Sequence, residues 1–399
     1  MDRAQVIIAG AGPVGCVAAT FLAQHGIDVI LAETEGDSAQ DLRASTFHPP
    51  TLEMLGKLGF VDRLIEMGLK APIYHWRDRK SGEVLEFDLS EISDATPHPY
   101  RIQCEQYHLA RMLSQQLESE SSARVLFGHR VIHFTQDAEG VDVTFEHMAG
   151  LSRARCDYLI GADGANSLVR KWLEIDFDGF TYPEKFLCLS TAQPIEQTIP
   201  NLAYVNYVSD PQEWLVLLRV PKLWRVLVPA TDENDNDYLK SDVKKNKVFG
   251  GLLGPDGVDV QTRHRTIYRV HQRVAKQFHI RRVILMGDAA HLNNPLGGFG
   301  MNSGIHDAFN ACERLVGVLQ GRESPETLAQ YDRQRRTVTH EFTQQQTIEN
   351  MALMSGGQGE AHQRRLTAMR NLIDDPEKRR AYLLRQAMIT SLKDAAAIA

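Results

Sequence analysis

Three glycines near the N-terminus, Gly10, Gly12 and Gly15, have the spacing G-x-G-x-x-G. A short β-branched apolar run precedes them, and residues 14–25 carry small and apolar side chains at helical spacing. In the order strand, turn, helix, such glycines permit a tight turn, a close approach of backbone to pyrophosphate, and close helix–sheet packing. The helix N-terminus also offers unpaired N–H groups to phosphates. The pattern therefore predicts a dinucleotide site.

A carboxylate follows the next apolar run. Glu33 ends the run 27–32 and lies eighteen positions after Gly15, where it can accept hydrogen bonds from ribose hydroxyls. The alternative is a solvated charge at the end of a strand. Thr34 belongs to the same predicted strand end.

Two later segments also run from a buried strand into a glycine-containing turn and a helix. The first, 156–167, contains Asp163 and Gly164. The second, 282–302, passes through Gly287 and Asp288 into a loop with three more glycines, and a helix is expected from about 303 to 319. Each turn could bring backbone close to a ligand, and the last helix N-terminus could stabilise negative charge. For the first turn, an ordinary β–α connection is the alternative.

Composition limits the classes of protein to consider. The 399 residues are 43% hydrophobic and 24% charged, which is typical of a soluble globular protein of more than one domain. A formal charge of −7 argues against a nucleic-acid surface, and no apolar run has membrane-spanning length. Five scattered cysteines and no leading signal segment favour a cytoplasmic protein, and the histidines form no metal-binding motif.

The order of elements predicts an α/β fold. We expect a Rossmann-like nucleotide-binding domain with an inserted, mostly antiparallel β-sheet domain and C-terminal helices. The predicted nucleotide-binding parts are 1–72, 97–179 and 269–330. The inserted sheet comprises 73–96 and 180–268, and 331–399 forms the helical region. Residues 100–117 read as one helix that begins near Gln103, and Thr51 reads as the N-cap of a helix that ends at Gly59.

Taken together, the three glycine turns resemble the single-component FAD-dependent aromatic hydroxylases, the p-hydroxybenzoate hydroxylase family. The family carries a G-x-G-x-x-G, a middle D-G and a late G-D motif in this order, and 269–275 is also similar to it. The resemblance implies bound FAD, NAD(P)H and O₂ as co-substrates, and a flavin C4a-hydroperoxide. The implied reaction hydroxylates a phenolic or hydroxylated N-heteroaromatic small molecule.

The resemblance also implies site residues. The expected cofactor-binding residues are Gly10, Gly12, Pro13, Val14, Gly15, Glu33, Thr34, Arg43, Gln103, Val131, Asp163, Gly287, Asp288, Pro295, Gly298, Gly300, Met301 and Asn302. Two loop residues near the expected flavin ring, His48 and Pro295, are candidates for catalysis, with His48 assisting removal of a hydroxyl proton. The candidate substrate residues on the inserted sheet are Tyr204, Tyr207, Arg219, Trp224 and Arg225. Strand alternation alone does not say which of them point inward.

Several alternatives remain open at this level. The substrate could be a larger polycyclic or quinone-type molecule, or the chain could be a flavin-bound sensor without turnover. Acidic residues around Glu33 would repel a 2′-phosphate, which favours NADH over NADPH. The expected protein is a monomer or homodimer that binds no nucleic acid and has no membrane span.

Overall fold

A computed structural model describes residues 2–37, 44–210, 213–231, 235–257, 259–354 and 360–399. The described strands are β1 (Asp2–Ala9), β2 (Val29–Ala32), β3 (Thr46–Phe47), β4 (Leu69–Ala71), β5 (Ile73–Asp78), β6 (Val84–Asp88), β7 (Arg101–Gln103), β8 (Ala123–Leu126), β9 (Arg130–Gln136), β10 (Val141–His147), β11 (Gly150–Gly161), β12 (Phe177–Thr191), β13 (Val205–Ser209), β14 (Leu215–Val220), β15 (Leu223–Thr231), β16 (His264–Ala275), β17 (His279–Ile280), β18 (Val283–Leu285) and β19 (His291–Leu292). The described α-helices are α1 (Pro13–Gln24), α2 (Pro49–Lys57), α3 (Val61–Met67), α4 (Gln106–Leu117), α5 (Leu168–Trp172), α6 (Asn236–Lys240), α7 (Asp242–Leu253), α8 (Phe299–Leu319), α9 (Leu328–Val338), α10 (Gln345–Met354), α11 (Glu360–Asp374), α12 (Pro376–Gln386) and α13 (Ile389–Ala397).

The first sheet has a parallel centre. Its main order is β17-β18-β11-β1-β2-β8, and β9 and β10 continue from β11 as antiparallel strands. The central strand β1 pairs in parallel with β11 and β2. Residues 6–9 of β1 are fully or almost fully buried. A central parallel strand is covered on both faces, which explains why these four residues are all apolar instead of alternating with polar ones.

All three glycine turns lie at one edge of this sheet. Ala9 is paired with Gly161, and Gly161 is paired with Leu285, so β1, β11 and β18 end side by side. Carboxyl ends of adjacent parallel strands are where open α/β sheets bind ligands. The topology therefore brings together motifs that are about 275 residues apart in the sequence.

The second sheet is the predicted, mostly antiparallel one. Its order is β19-β16-β12-β15-β14-β13-β5-β6, and only the β13–β5 pair is parallel. Two long strands, β12 and β16, run through the positions near 180 and 269 where domain boundaries were expected. The division into domains stays a prediction. The α/β fold class with an inserted sheet and C-terminal helices is confirmed.

A small antiparallel sheet, β3-β7-β4, corrects the prediction for residues 100–117. Residues 101–103 form β7, and α4 begins only at Gln106. Ile102 is fully buried in the core between its two neighbouring strands, so tertiary packing overrides the local helical pattern.

Two predicted helix starts also differ from the structure. α2 begins at Pro49 with His48 in front of it, and Thr51 lies inside the helix rather than capping it. Proline suits the first helical turn because its missing N–H has no intrahelical partner there. α8 begins at Phe299, four residues earlier than expected, after Gly298 in the left-handed region at φ 72°.

The C-terminal helices close over the outer end of the second sheet. On α11, the His362 imidazole lies 2.9 Å from Asp78 on β5, with both side chains buried, and Arg370 pairs with Glu83 at 2.6 Å. On α12, the Tyr382 ring packs on Phe87 with 5.2 Å between ring centroids. This cover joins residues 73–88 to residues nearly three hundred positions later. Within the described ranges, no helix has the length and apolarity to cross a membrane.

Candidate active site

A cavity of about 690 Å³ lies between the carboxyl edge of the first sheet and one face of the second sheet. We call its two sides the nucleotide wall and the sheet wall. The nucleotide wall is formed by lining residues 9–14, 32–35, 129–131, 162–166, Leu168, Met286 and Asp288. The sheet wall is formed by Cys188, Tyr207, Val216, Leu218, Arg225, Leu227 and residues 268–271. Residues 44–46 and the loop 292–301 complete the cavity between the walls.

The three glycines of the first turn have different roles: Gly10 and Gly15 permit close packing, and Gly12 faces the cavity. Gly10 has φ 100°, and a Cβ there would lie 2.4 Å from the Ala162 carbonyl oxygen. A Cβ on Gly15 would lie 1.9 Å from the Gly10 carbonyl oxygen, so Gly15 permits the helix to pack on the turn. Gly12 lines the cavity, and a Cβ there would meet no atom within 4 Å. Open space therefore faces the Gly12 backbone, where the motif predicts a pyrophosphate.

Glu33 lies beside this turn on the nucleotide wall. Its Oε2 accepts from the Ala11 N–H at 2.7 Å, and its Oε1 accepts from the Glu35 N–H at 3.0 Å. These bonds fix the carboxylate at the cavity, and each of its oxygens keeps a lone pair for a further hydrogen bond. Thr34 and Val131 line the same region.

Asp163 holds the middle turn. Its Oδ2 accepts from the N–H groups of Leu168 and Val169 at 2.8 and 3.1 Å, at the start of α5. Its Oδ1 is buried and has no hydrogen-bond partner among the described residues, and burial raises the pKa of this carboxyl above its ordinary value. A buried acceptor on a cavity wall without a partner is the kind of atom that a bound ligand satisfies.

The third turn is held from behind by a buried ion network. Asp288 and Met286 line the cavity, whereas Gly287, at φ 60°, packs against Val14 and donates its N–H to Asp307 Oδ2 at 3.1 Å. Asp307 also accepts from His291 and Arg335, each at 2.7 Å. Burial raises the pKa of Asp307, but His291 and Arg335 lower it more, so the net shift is downward. The bond from His291 to Asp307 therefore supports the turn from behind the cavity lining.

The loop 295–302 leads from this turn into α8. Pro295, Gly298, Gly300 and Met301 line the cavity, so the N-terminal end of α8 faces it. Asn302 lies behind the loop and is fully buried. Its side chain bonds the backbone of His48, Thr46 and Gly298 at 2.7–2.9 Å. Backbone N–H groups at such a helix end stabilise negative charge on a ligand.

Gly15, Gly287 and Asn302 pack behind the cavity lining, and two further predicted residues, His48 and Gln103, do not line the cavity either. His48 is fully buried, and its Nε2 donates to the Gly297 carbonyl at 2.8 Å. Burial, with a smaller contribution from Arg101, lowers the pKa of His48 well below its ordinary value. Gln103 does not line the cavity because it lies on β7, where its Oε1 accepts from Thr46 at 3.0 Å. Arg43 lies outside the described residues.

Alternation along the second sheet decides which candidate substrate residues face inward. Arg225 pairs with Leu218, and Trp224 pairs with Arg219, so the two arginines lie on opposite faces. Arg225 lines the cavity, 5% exposed, and donates to Ser45 Oγ at 3.1 Å and towards Cys188 Sγ at 3.8 Å. Tyr207 also lines the cavity.

The other candidates lie elsewhere. The Arg219 guanidinium lies 5.6 Å from the centroid of the Trp224 ring, on the face away from the cavity. Tyr204 precedes β13 and is 41% exposed. Tyr204, Arg219 and Trp224 therefore do not line the cavity.

Some lining residues escaped sequence reasoning. Among them are His129, Arg130, Gln106, Tyr107, Asn293, Tyr268 and His271. Of these, only His271 had a signal, because it belongs to the segment 269–275 that resembles the hydroxylase family. The others follow strands or begin helices, and sequence alone does not bring those ends together.

A glycine-rich turn at a helix N-terminus, a carboxylate on the cavity wall and a second sheet that covers the same cavity are together typical of an enzyme fold that binds a dinucleotide cofactor. Comparison with known proteins identifies the class. The FAD binding domain family matches residues 3–346. Para-nitrophenol 4-monooxygenase of Pseudomonas sp. (strain WBC-3) is 31% identical over 353 residues, covering 88% of this chain and 87% of that protein.

Two further proteins give the same result. The 6-hydroxy-3-succinoylpyridine 3-monooxygenase HspB of Pseudomonas putida (strain DSM 28022 / S16) is 30% identical, covering 88% of each chain. The crystal structure of p-nitrophenol 4-monooxygenase PnpA from Pseudomonas putida DLL-E4 superimposes with a TM-score of 0.92, at 27% identity and 99% coverage of both chains. The chain belongs to the FAD-binding-domain family, and it is an FAD-dependent monooxygenase.

Proposed function

We propose that this enzyme uses NAD(P)H and O₂ to hydroxylate a phenolic or hydroxylated N-heteroaromatic small molecule. The named relatives act on a nitrophenol and a hydroxypyridine. The observation that carries the proposal is one cavity that reaches from the dinucleotide turn at Gly12 to the buried guanidinium of Arg225.

The nucleotide wall suits FAD. The open backbone at Gly12 and the N-terminus of α1 would hold the pyrophosphate, and Glu33 would hold the adenosine ribose. Asp288 would bind hydroxyls of the ribityl chain, and the α8 end at 298–301 would lie against the ring. FAD, when bound, supplies electron uptake from NAD(P)H and transfer of one oxygen atom from O₂.

The sheet wall would position and activate the aromatic substrate. Arg225 places a cation in the cavity, which favours the ionised form of a phenol and so increases electron density on the ring. Val216, Leu218 and Leu227 form an apolar surface around it on the same sheet face. An apolar enclosure excludes water and strengthens the attraction between Arg225 and a phenolate.

NADH is the preferred co-substrate in this proposal. Glu33 and Glu35 lie in the nucleotide wall, and Asp37 nearby pairs with Arg111 at 2.8 Å. The same wall also carries Arg130 and His129, so the acidic residues are partly offset. The ratio of kcat/KM for NADH and NADPH measures the balance.

The direct test is NADH and NADPH oxidation by the purified yellow protein with 4-nitrophenol, 4-hydroxybenzoate, hydroxypyridines, a polycyclic quinone and a benzene control. Strong stimulation by one hydroxylated ring, with one atom of ¹⁸O from ¹⁸O₂ in the product, supports the proposal. Stimulation only by a polycyclic or quinone-type compound assigns the larger substrate instead. Oxidation that no compound stimulates, with FAD bound, indicates the sensor alternative.

A further inference from the structure

A short loop, residues 292–296, lies between the two walls of the cavity. Leu292, Asn293, Pro295 and Leu296 line the cavity, and the loop leads from the third glycine turn towards the N-terminal end of α8. Under the proposed function, the flavin ring and the aromatic substrate meet beside this loop. The position of its backbone therefore influences the distance between the two reactants.

Gln272, on β16, bonds this loop from behind with both ends of its amide. Its side chain is 2% exposed and lies outside the cavity lining. Its Oε1 accepts from the Asn294 N–H at 3.0 Å. Its Nε2 donates to Thr347 Oγ1 at 2.8 Å and to the Gln344 carbonyl at 3.2 Å. One amide thus connects the loop to the helical segment 344–350.

The same helical segment also holds both ends of the loop. Gln344 Nε2 donates to the Leu292 carbonyl at 2.9 Å. Asn350 Nδ2 donates to the Leu296 carbonyl at 3.2 Å. Gln344 is the last residue of a π-helix, Thr339–Gln344, that leads directly into α10. Such π-helical turns are rare and frequently lie at functional sites.

The side chain of Asn294, in the middle of the loop, completes the network. It is fully buried, and its Nδ2 donates to the Thr347 carbonyl at 2.9 Å and to the Tyr182 hydroxyl at 3.2 Å. Its Oδ1 accepts from the Leu296 N–H at 3.0 Å. Apolar packing tolerates small shifts, whereas a bonded buried polar network specifies one arrangement. The network therefore fixes the loop backbone more narrowly than apolar contacts would.

We propose that Gln272 is a positioning residue for oxygen transfer, because with Gln344, Thr347 and Asn350 it holds the loop 292–296 in the arrangement that delivers oxygen to the substrate. This inference rests on the proposed function. In the productive reaction, NAD(P)H, H⁺, O₂ and a ring C–H give NAD(P)⁺, water and a ring C–OH. Without delivery, NAD(P)H, H⁺ and O₂ give NAD(P)⁺ and H₂O₂. Transfer needs closely positioned atoms, so a displaced loop favours the second outcome.

The test compares the FAD-loaded wild-type protein with Q272M and T347V, using the phenol or hydroxypyridine that the wild-type protein oxygenates best. One readout is oxygenated product per NADH oxidised, and the other is hydrogen–deuterium exchange of the peptide that contains 292–296. Q272M removes all three amide bonds, so it should lower the product yield about threefold or more, raise H₂O₂ correspondingly, and speed exchange of the loop about tenfold. T347V keeps the side-chain shape but removes one acceptor of Gln272, so its effects should be smaller and in the same direction.

Gln334, on α9, provides a matched control. It is also a buried glutamine, 3% exposed, and lies outside the cavity lining. Its amide also makes three bonds, with Asn310, Arg314 and the Ile398 carbonyl. Q334M should therefore lower the melting temperature about as much as Q272M does, without changing the product yield or the exchange of the loop.

Three results would each overturn the positioning role: a wild-type product yield in Q272M, unchanged exchange of its loop, or an equal loss of yield in Q334M. If Q272M does not fold, T347V decides, and wild-type yield and exchange in that variant would overturn the role. A wild-type protein that oxygenates none of the compounds would contradict the proposed function. The exchange rates of Q272M and Q334M would then still decide whether the Gln272 amide holds the loop.

Discussion

The two walls of the cavity obtain their chemistry in different ways. On the nucleotide wall, backbone features provide most of the ligand-facing surface: Gly10 at φ 100°, the open face of Gly12, and the N-terminal ends of α1 and α8. On the sheet wall, side chains do it, above all Arg225 among apolar neighbours. A wall made of backbone fails when a Cβ is added, and a wall made of side chains fails when a side chain is truncated. The predictions below use this difference.

The largest effect is expected from adding a methyl group to the glycine turn. Gly15→Ala places a Cβ 1.9 Å from the Gly10 carbonyl oxygen, so it should lower the free energy of unfolding by about 3 kcal/mol or more. Gly12→Ala meets no protein atom within 4 Å, so it should leave the apoprotein's stability nearly unchanged and weaken FAD binding at least about tenfold. Thermal unfolding and FAD titration check both, with Gly36→Ala as the matched control. Normal FAD affinity in Gly12→Ala would contradict the assignment of this backbone to the cofactor.

Truncation on the sheet wall should spare the cofactor. Arg225→Met should lower kcat/KM for the aromatic substrate about 100-fold, because a charge-assisted contact is lost, while FAD content stays at the wild-type value. Arg219→Met removes the same side chain from the opposite face and should keep both. Steady-state kinetics and the absorbance ratio of flavin to protein measure the two effects. Equal losses in the two variants would mean that the register assigned to β14 and β15 does not govern substrate binding.

Acid should lower the stability of the folded protein through a buried histidine at the contact between α8 and α2. Burial lowers the pKa of His306, on α8, from 6.5 to about 3, and its Nε2 contacts Thr51 Oγ1 at 3.1 Å. Because the unfolded chain then binds the proton more readily, the stability that the neutral His306 allows is lost as the pH falls below about 6.5. Between pH 6.5 and 5 the loss should be about 1.6 kcal/mol. Denaturant unfolding across this range should show a shallower pH dependence in His306→Gln, and an unchanged slope would contradict the buried neutral state.

The smallest effect is expected from removing one surface charge on the nucleotide wall. Glu35→Gln removes one negative charge beside Glu33, and it should shift the ratio of kcat/KM for NADH and NADPH towards NADPH by about threefold. Rates with the two nicotinamides, at low and high salt, provide the measurement. A shift towards NADH would reverse the expected sign.

The same difference between the walls explains what the sequence could reveal. Glycine spacing specifies backbone conformation locally, so the turn at Gly10 and the turns at Asp163 and Gly287 were predictable, as was their order. Which arginine faces the cavity depends on register. A two-residue turn, Pro221 and Lys222, places Arg219 opposite Trp224 and Arg225 opposite Leu218. Alternation within either strand leaves this undecided.

The placement of two further residues, Gln103 and His48, depends on tertiary contacts and could not be predicted from the sequence. Gln103 was expected at the start of a helix, but burial of Ile102 between β3 and β4 makes the segment a strand and turns Gln103 towards Thr46. His48 has the residue type of a proton acceptor, yet it bonds the Gly297 carbonyl and packs on the Phe299 ring, 5.4 Å between centroids. Gly297 and Phe299 are about 250 residues away from His48 in the sequence, so the residue type of His48 alone does not predict these contacts.

The cover that α11 and α12 place over the second sheet has a consequence for biosynthesis. Arg370 and Glu83, which pair across this contact, are 287 residues apart, so translation at roughly 5–20 residues per second separates their synthesis by tens of seconds. During that interval the β5–β6 hairpin, with Tyr74 and Phe87, has no helices to bury its apolar face. The nascent chain therefore exposes the apolar face of this hairpin to solvent until α11 and α12 have been synthesised.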